Sequence, residues 1–472
     1  MKPSPTPEAA ADGGPSPKLP ASRKFLYGVG AIGDMIGFHG PTNLAVPIYT
    51  LYMGVSPAVV GAVVAITRVW DAVSDPLMGE ISDRTSSRWG RRRPYIIGGA
   101  LVGGLAFALM WHPPAGLSQW GHAVFLGLAL LLFYTAFTTF TVPYHALGYE
   151  MSDEHHERTS VMAYRMFFNV VGNVGVGWLF ALAKAPVFGD PVTGAKYAGA
   201  IAGVVFALTC IVPGLFLRER TFKRTTDPQP FWRSFISTAK IIPFRVLLVL
   251  TTMILVTSSL IFSSLLIYIN TFYTFGGNVD KAAILQGVIV TCFALANAAS
   301  LPFVAKLSKR LGKKRTLTVA FSVQAVAGAS TWFMIRPDLP YLQLVALIFH
   351  QVAFVTFFLM LHSMTADVCD FDEHLNGRRR EGMFGAAITW VQKLAVALSV
   401  LLSGTLLVAL GFDSTPGARQ PDSMVFGIRL VFTVVLTLQA LISLFILRYY
   451  RLDESLLAEI RLRKDDLASK PA

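Results

Sequence analysis

Long apolar runs, each closed by a short polar or charged turn, recur from one end of the chain to the other. About twelve of them reach the roughly 20 residues that a helix needs to cross a hydrocarbon layer. They fall near 25–53, 57–82, 95–114, 121–148, 161–184, 197–217, 242–274, 282–305, 316–335, 341–366, 383–411 and 424–449. A spanning segment must satisfy its own backbone N–H and C=O groups, and a helix does so within itself. The expected fold is therefore an all-α membrane protein with twelve transmembrane helices.

Composition agrees: 53% of the 472 residues are hydrophobic and 15% are charged, more apolar surface than one soluble core hides. The net charge of +13 could point to a nucleic acid, but the basic residues sit in every second connection. Arg84 to Arg93 follow run two, Arg158 run four, Arg218 to Lys240 run six, Lys306 to Arg315 run eight and Arg378 to Arg380 run ten. The alternate connections hold few: none after run one, Lys281 after run seven, Arg336 after run nine. This positive-inside pattern records topology, with both termini cytoplasmic, the plasma (inner) membrane as the expected address, and no nucleic-acid partner expected.

The start, MKPSPTPEAAADGGPSPKLPAS, has no apolar core and reads as a disordered cytoplasmic tail over 1–22 rather than a signal peptide. Residues 451–472 read as a second cytoplasmic tail. Cys210, Cys292 and Cys369 have no paired spacing and read as packing residues. No GxxxxGK[ST] loop is present, so nucleotide is not the expected energy source and no cofactor is called for. Gly28, Gly30 and Gly33 spell GxGxxG without a preceding strand, and small residues at helical spacing read better as a close helix contact.

The turn GEISDRTSSRWGRRRP after run two has a degenerate echo, AKLSKRLGKKR, after run eight. YEMSDEHHERTS after run four is echoed by ADVCDFDEHLNGRRREG after run ten. Both echoes lie six runs on. The simplest reading is two six-helix halves, 23–217 and 242–450, joined by a cytoplasmic linker over 218–241, which rock about a site near the midplane.

Charged residues inside apolar runs are the candidate chemistry. Asp71 and Asp75 are one helical turn apart, so both carboxylates share a face and, poorly hydrated, require a proton or a metal cation beside them. The alternative is pairing with an arginine in a helix-end network. Arg165 and Lys393 lie deep in runs five and eleven, where each needs a carboxylate, an ion or water, in a ligand site or in a structural ion pair. Asp83, Arg84, Arg91, Arg92 and Arg93 form a basic turn at the cytoplasmic mouth, expected to fix topology and to form gate ion pairs.

The turn after run two resembles the D-R-x-G-R-R signature of the major facilitator superfamily. More narrowly, DAVSDPLMG, VPYHAL, Arg165 in AYRMFF, and TADVCDFDEHLNGRRREGMFGA followed by WVQKL resemble the glycoside-pentoside-hexuronide:cation symporters, the melibiose permease-like family, over about residues 25 to 450. The resemblance implies secondary active symport of a sugar, glycoside or hexuronide by a chain that is no enzyme. Asp71 and Asp75 would bind the coupling Na+ or H+, as metal ligands if the ion is Na+, with Ser74 and Thr138 adding neutral oxygens that hard cations favour. It also implies sugar-side roles for Arg165, Thr389 and Lys393.

The chain departs from the melibiose carriers where those present carboxylates to the sugar. Thr141 stands at the acid position of run four, and His145 at that of a stacking tryptophan. In run one Asp34 falls one position early, with Met35 at the matching place, a turn of about 100° around the helix. The expected substrate pocket is thus Asp34, Thr141, Tyr144, His145, Arg165, Phe358, Thr389 and Lys393, with galactoside specificity not implied. The alternative for His145 is a satisfied packing histidine. Two alternatives stay open: transport of another amphipathic solute such as a lysolipid, and a non-transporting membrane receptor. A lipid bilayer is the one macromolecular surrounding expected, and the chain is expected to be a monomer.

Overall fold

The computed structural model describes residues 19–151, 155–217, 219, 231–376, 381–415, 417 and 419–452. The expected tails, apart from their innermost residues, half of the linker, and Arg378 to Arg380 lie outside the described residues. The described chain is helical, with no strand. In order come α1 (Ala21–Pro47, extended by a π turn, Ile48–Tyr52), α2 (Pro57–Arg84), α3 (Arg93–Leu109), α4 (Gln119–Glu150), α5 (His155–Ala183) and α6 (Pro191–Phe216). After the short α7 (Phe231–Ala239), α8 (Ile242–Ser258) runs on through π turns and α9 (Leu266–Tyr268) to Thr274. Then follow α10 (Val279–Leu311), α11 (Lys313–Met334), α12 (Gln343–Asn376), α13 (Glu381–Ala409) and α14 (Asp422–Leu447).

Ten described helical segments are long and apolar enough to cross a membrane. The other two expected spans are also helices: α3 is apolar but 17 residues long, at the lower limit for spanning, and α1 carries Asp34 and His39 inside its 27 residues. Helix starts follow local chemistry. Pro57 opens α2 at a position where its missing N–H is no loss, and Asp190 caps α6 by accepting from the N–H groups of Val192 and Thr193 at 2.9 and 3.0 Å. Only Gly312, at φ 79°, separates α10 from α11.

Helices α1 to α6 pack on one another, α1 against α5 and α6, α3 between α4 and α6, and α2 against α4. Helices α8 to α14 form a second group, with α11 between α12 and α14. The groups meet along two main seams, α2 on α13 and α5 on α10. The GxGxxG of α1 is a packing surface, because a Cβ at Gly28 would come 2.6 Å from Phe168 of α5 and one at Gly30 2.8 Å from Tyr144 of α4. At Gly33 it would strike Cys210 of α6, itself fully buried.

The repeat is visible in contacts. Arg92 pairs with Glu150 at the end of α4 at 2.7 Å, and Arg93 donates to the Gly214 and Leu215 carbonyls at the end of α6. In the second group Lys313 pairs with Asp367 near the end of α12 at 2.5 Å, and Lys314 donates to the Tyr450 carbonyl just past α14 at 2.6 Å. Basic residues at the start of the third helix thus tie down the fourth and sixth in both groups.

Candidate substrate and coupling-ion site

On α2, Arg68, Asp71 and Asp75 follow one another along a single stripe of the helix, at spacings of three and four. Asp71 is fully buried. The Thr138 hydroxyl of α4 lies 2.8 Å from Asp71 Oδ1 and 3.2 Å from Asp75 Oδ1, so its one proton serves both carboxylates. Ser74 donates to Thr138 Oγ1 at 3.1 Å. The other carboxylate oxygens are taken from across the seam: Lys393 Nζ of α13 is 3.0 Å from Asp71 Oδ2 and 2.5 Å from Asp75 Oδ2. Lys393, expected beside the substrate, therefore stands in the acid pair.

Arg68 went unassigned in the sequence although its spacing to Asp71 was visible. It lies 3.8 Å from Asp71 Oδ2, so two acids face two bases. Pro76, one residue past Asp75, has no N–H, which leaves the Ala72 carbonyl without its usual helical partner. Among the described residues no three His, Cys, Asp or Glu side chains gather as a metal centre. A hard cation at the pair would complete its shell with neutral oxygens, here the Thr138 and Ser74 hydroxyls, and would meet Lys393 on the same carboxylates.

A second cluster centres on Asp34 of α1, 4% exposed. Thr141 donates to its Oδ1 at 2.8 Å, while His145 Nε2 and Arg165 approach its Oδ2 at 2.9 and 3.1 Å. Three of the expected residues are thus brought onto Asp34 by α4 and α5. Arg165 also comes within 2.6 Å of His145 Nε2. That nitrogen can accept from Arg165 or donate to Asp34, but not both. The His145 side chain is 36% exposed against 6% for Asp34, which makes the imidazole the open side of the cluster.

The remaining expected residues are placed differently. Tyr144 is fully buried, stacked on Tyr27 at 4.7 Å with its hydroxyl donating to the Tyr27 carbonyl, and meets the cluster through Arg165, 5.9 Å above its ring. Phe358 packs against Phe354 and Phe357 on α12. Thr389, one turn before Lys393, is exposed and donates to the Gly385 carbonyl of its own helix.

The basic turn forms a network inside the first group. Arg92 bridges Asp83 at 3.0 Å and Glu150 at 2.7 Å, Arg91 meets Glu150 at 2.5 Å, and Arg84 pairs with Glu80 on its own helix. Glu219, just beyond α6, accepts from the backbone N–H groups of Arg91, Arg92 and Arg93 at 2.8 to 3.0 Å. A carboxylate there satisfies donors at the N-terminus of α3 and complements its dipole. The sequence reading passed over Glu219, whose one signal is an acid directly after an apolar run.

A two-lobed helical membrane protein with buried charges at the seam between its lobes has the build of a major facilitator transporter. Its sequence matches the family described as MFS/sugar transport protein over residues 26–454, and the chain belongs to that family. It is 24% identical to the putative glycoside/cation symporter YagG of Escherichia coli (strain K12), over 89% of each chain. It is 25% identical to the sodium-dependent lysophosphatidylcholine symporter 1 of Gallus gallus, over 95% of this chain and 90% of that one. The fold resembles the crystal structure of a bacterial homolog of the human lysosomal transporter Spinster, with TM-score 0.67 and 14% identity over 92% of this chain and 98% of that one. The chain is an integral multi-pass membrane transporter, not an enzyme.

Proposed function

We propose that the protein is a cation-coupled symporter of a sugar, glycoside or hexuronide, working by alternating access in the plasma membrane with both termini in the cytoplasm. One observation carries the reading: Lys393 of the second lobe is ion-paired with both Asp71 and Asp75 of the first. The two acids, Lys393 and Arg68 already balance, so an arriving Na+ or H+ competes with the ammonium for the same oxygens. Displacing Lys393 cuts a tie between the lobes and leaves the cation with Asp71, Asp75, Ser74 and Thr138.

The Asp34 cluster is the proposed substrate side. Its carboxylate, imidazole and guanidinium suit a ligand with hydroxyls that both donate and accept, and the half-open imidazole of His145 is the side from which such a ligand would reach them. Thr138 and Thr141 sit one turn apart on α4, so a single helix carries a residue of each cluster. The named glycoside symporter among the relatives favours a sugar; the lysophosphatidylcholine symporter keeps a lysolipid as the second reading.

Uptake into proteoliposomes decides between them. Nitrophenyl glycosides, nitrophenyl glucuronide and lysophosphatidylcholine are each offered under an imposed Na+ or H+ gradient. Accumulation of a glycoside or glucuronide supports the proposal. Accumulation of the lysolipid alone replaces the substrate, and binding without accumulation makes the chain a receptor.

A further inference from the structure

Between the lobes, at the end away from the chain termini, lies a cavity of about 620 Å³ that the cycle above does not use. Sites for small molecules run to roughly 300 to 1,000 Å³. Both lobes line it: Thr50 and Tyr52 come from the π turn of α1, Phe272 from the π turn after α9, and Phe412, Asp413 and Arg419 from the loop between α13 and α14, with Asp422 at the start of α14. Its floor is the closed contact of the lobes, where the Thr50 and Tyr268 hydroxyls lie 2.6 Å apart and Phe412 meets the Tyr268 ring edge-on at 5.2 Å. The loop at its rim is pinned by its own hydrogen bonds. Asp413 donates its N–H to Gln420 Oε1 at 2.9 Å, Gln420 Nε2 donates to the Asp413 carbonyl at 2.8 Å, and Asp413 Oδ1 accepts from the Thr415 N–H at 2.9 Å.

We propose that this vestibule is an outer docking subsite for a neutral saccharide, occupied while the lobes are closed beneath it. It rests on the reading that the chain carries a sugar and that this end faces outward. A pyranose has an apolar face and a rim of hydroxyls that both donate and accept. Phe272, half-buried and braced edge-on by Phe412 at 6.0 Å, and Tyr52 offer ring surface to that face. The Asp413 and Asp422 carboxylates can accept from the hydroxyls, and the Arg419 guanidinium can donate to them. Two carboxylates stand against one guanidinium at the rim, so a hexuronide meets net repulsion and a neutral ring does not. Because the lining comes from both lobes, the parting of Thr50 from Tyr268 that opens the seam also opens the floor, and a docked ring stands at the entrance.

The test is protection of a cysteine from alkylation. Ser414→Cys, in the cavity wall, is placed in the full chain lacking Cys210, Cys292 and Cys369, reconstituted in nanodiscs and reacted with a maleimide. The probe is the neutral nitrophenyl glycoside that the wild type accumulates. At saturation it is expected to slow alkylation by about threefold or more, and equally so when Arg165→Ala is added, because the Asp34 cluster takes no part. Phe272→Leu, which loses the ring, and Arg419→Ala, which loses the donor, should each raise the half-protecting concentration by about threefold or more. Nitrophenyl glucuronide should need a higher concentration than the neutral glycoside. No protection by a glycoside that the wild type accumulates, or a half-protecting concentration unchanged in both variants, overturns the vestibule and leaves the sugar reading standing. Protection that vanishes with Arg165→Ala overturns it as a relay from the central site, and protection matched by nitrobenzyl alcohol, which has no sugar, overturns it as apolar adhesion. A wild type that accumulates only the glucuronide overturns the neutral occupant, and one that accumulates only the lysolipid overturns the sugar reading and the vestibule with it.

Discussion

Lys393 is the residue whose position most changes what the sequence implied. A lysine deep in an apolar run must find a partner, and the sequence cannot say on which helix. The partner is the acid pair on α2, reached across the seam at 2.5 and 3.0 Å. Removing the ammonium should therefore help the ion rather than the sugar. A charge-assisted contact is worth about 1.5 to 3 kcal/mol, so Lys393→Gln is expected to raise apparent ion affinity by roughly ten- to a hundredfold, read by ion titration of the purified protein. Unchanged or weaker ion binding would place Lys393 outside the ion site. Arg165→Ala, by contrast, should weaken glycoside binding while leaving ion affinity in place, and equal loss of both in parallel titrations would contradict two separate clusters. The pairing of Asp71 with Asp75 was legible because one helical turn fixes it. The gathering of Asp34, Thr141, His145 and Arg165 became legible only through the resemblance, since three helices bring them together. Arg68 was not legible as part of the site, because the Phe38 carbonyl that it reaches lies on another helix.

Among the elements, the α2–α13 crossing is the tightest contact between lobes. A Cβ at Gly61 would stand 2.7 Å from the Val400 carbonyl oxygen, and one at Gly404 would strike the Pro57 carbonyl. Backbone cannot step aside as a flexible side chain can, so Gly61→Leu should disfavour the closed crossing and shift the population toward the arrangement open at that end. Faster maleimide labelling of a cysteine placed at Ala58, relative to the same cysteine with Gly61 intact, checks it; equal labelling would show that the crossing yields elsewhere. Helix existence was written in the apolar runs, but several ends were not. Helix α12 continues to Asn376 and α10 to Leu311, past the expected 366 and 305, because helices run on beyond the hydrocarbon where polarity no longer marks them. Equally hidden was a polar chain inside the second lobe. Gln324 donates to Gln439 at 2.7 Å and lies 3.2 Å from His350 Nδ1, and Gln439 donates to Ser443 at 2.9 Å. With Gln324 as donor the imidazole is neutral and carries its proton on Nε2, toward Ser258. Gln439→Leu strands one N–H of the Gln324 amide, which keeps His350, and should cost about 1 to 3 kcal/mol, seen as a lower melting temperature in detergent.

At the scale of the whole molecule, contacts between lobes gather at the end away from the chain termini. There Thr50 and Tyr268 hydroxyls lie 2.6 Å apart, Lys184 pairs with Asp280 at 2.8 Å, and Trp178 donates to Thr291 at 3.1 Å. With the proposed topology this end faces outward, and the arrangement is closed outside. Arg92 and Lys313 pair within their own lobes, so these two turns stiffen each lobe as a rigid body while the seams do the opening. Joining Lys184→Cys to Asp280→Cys with a short bis-maleimide, in a chain lacking Cys210, Cys292 and Cys369, should stop transport, and turnover by the joined protein would show that this end need not open. The repeat that produces two lobes was readable from the echoed turns; which ends of the lobes touch was not, since it depends on the conformation adopted. The central claim, that a cation bound at Asp71 and Asp75 drives solute uptake, is tested most directly by accumulation in proteoliposomes under an imposed inside-negative potential. About 100 mV supplies roughly 2.3 kcal/mol per inward positive charge. A neutral glycoside should accumulate in wild type only with the coupling ion present, and Asp71→Asn or Asp75→Asn should exchange the glycoside without accumulating it. Accumulation that ignores the potential, or that survives in both variants, would contradict the account.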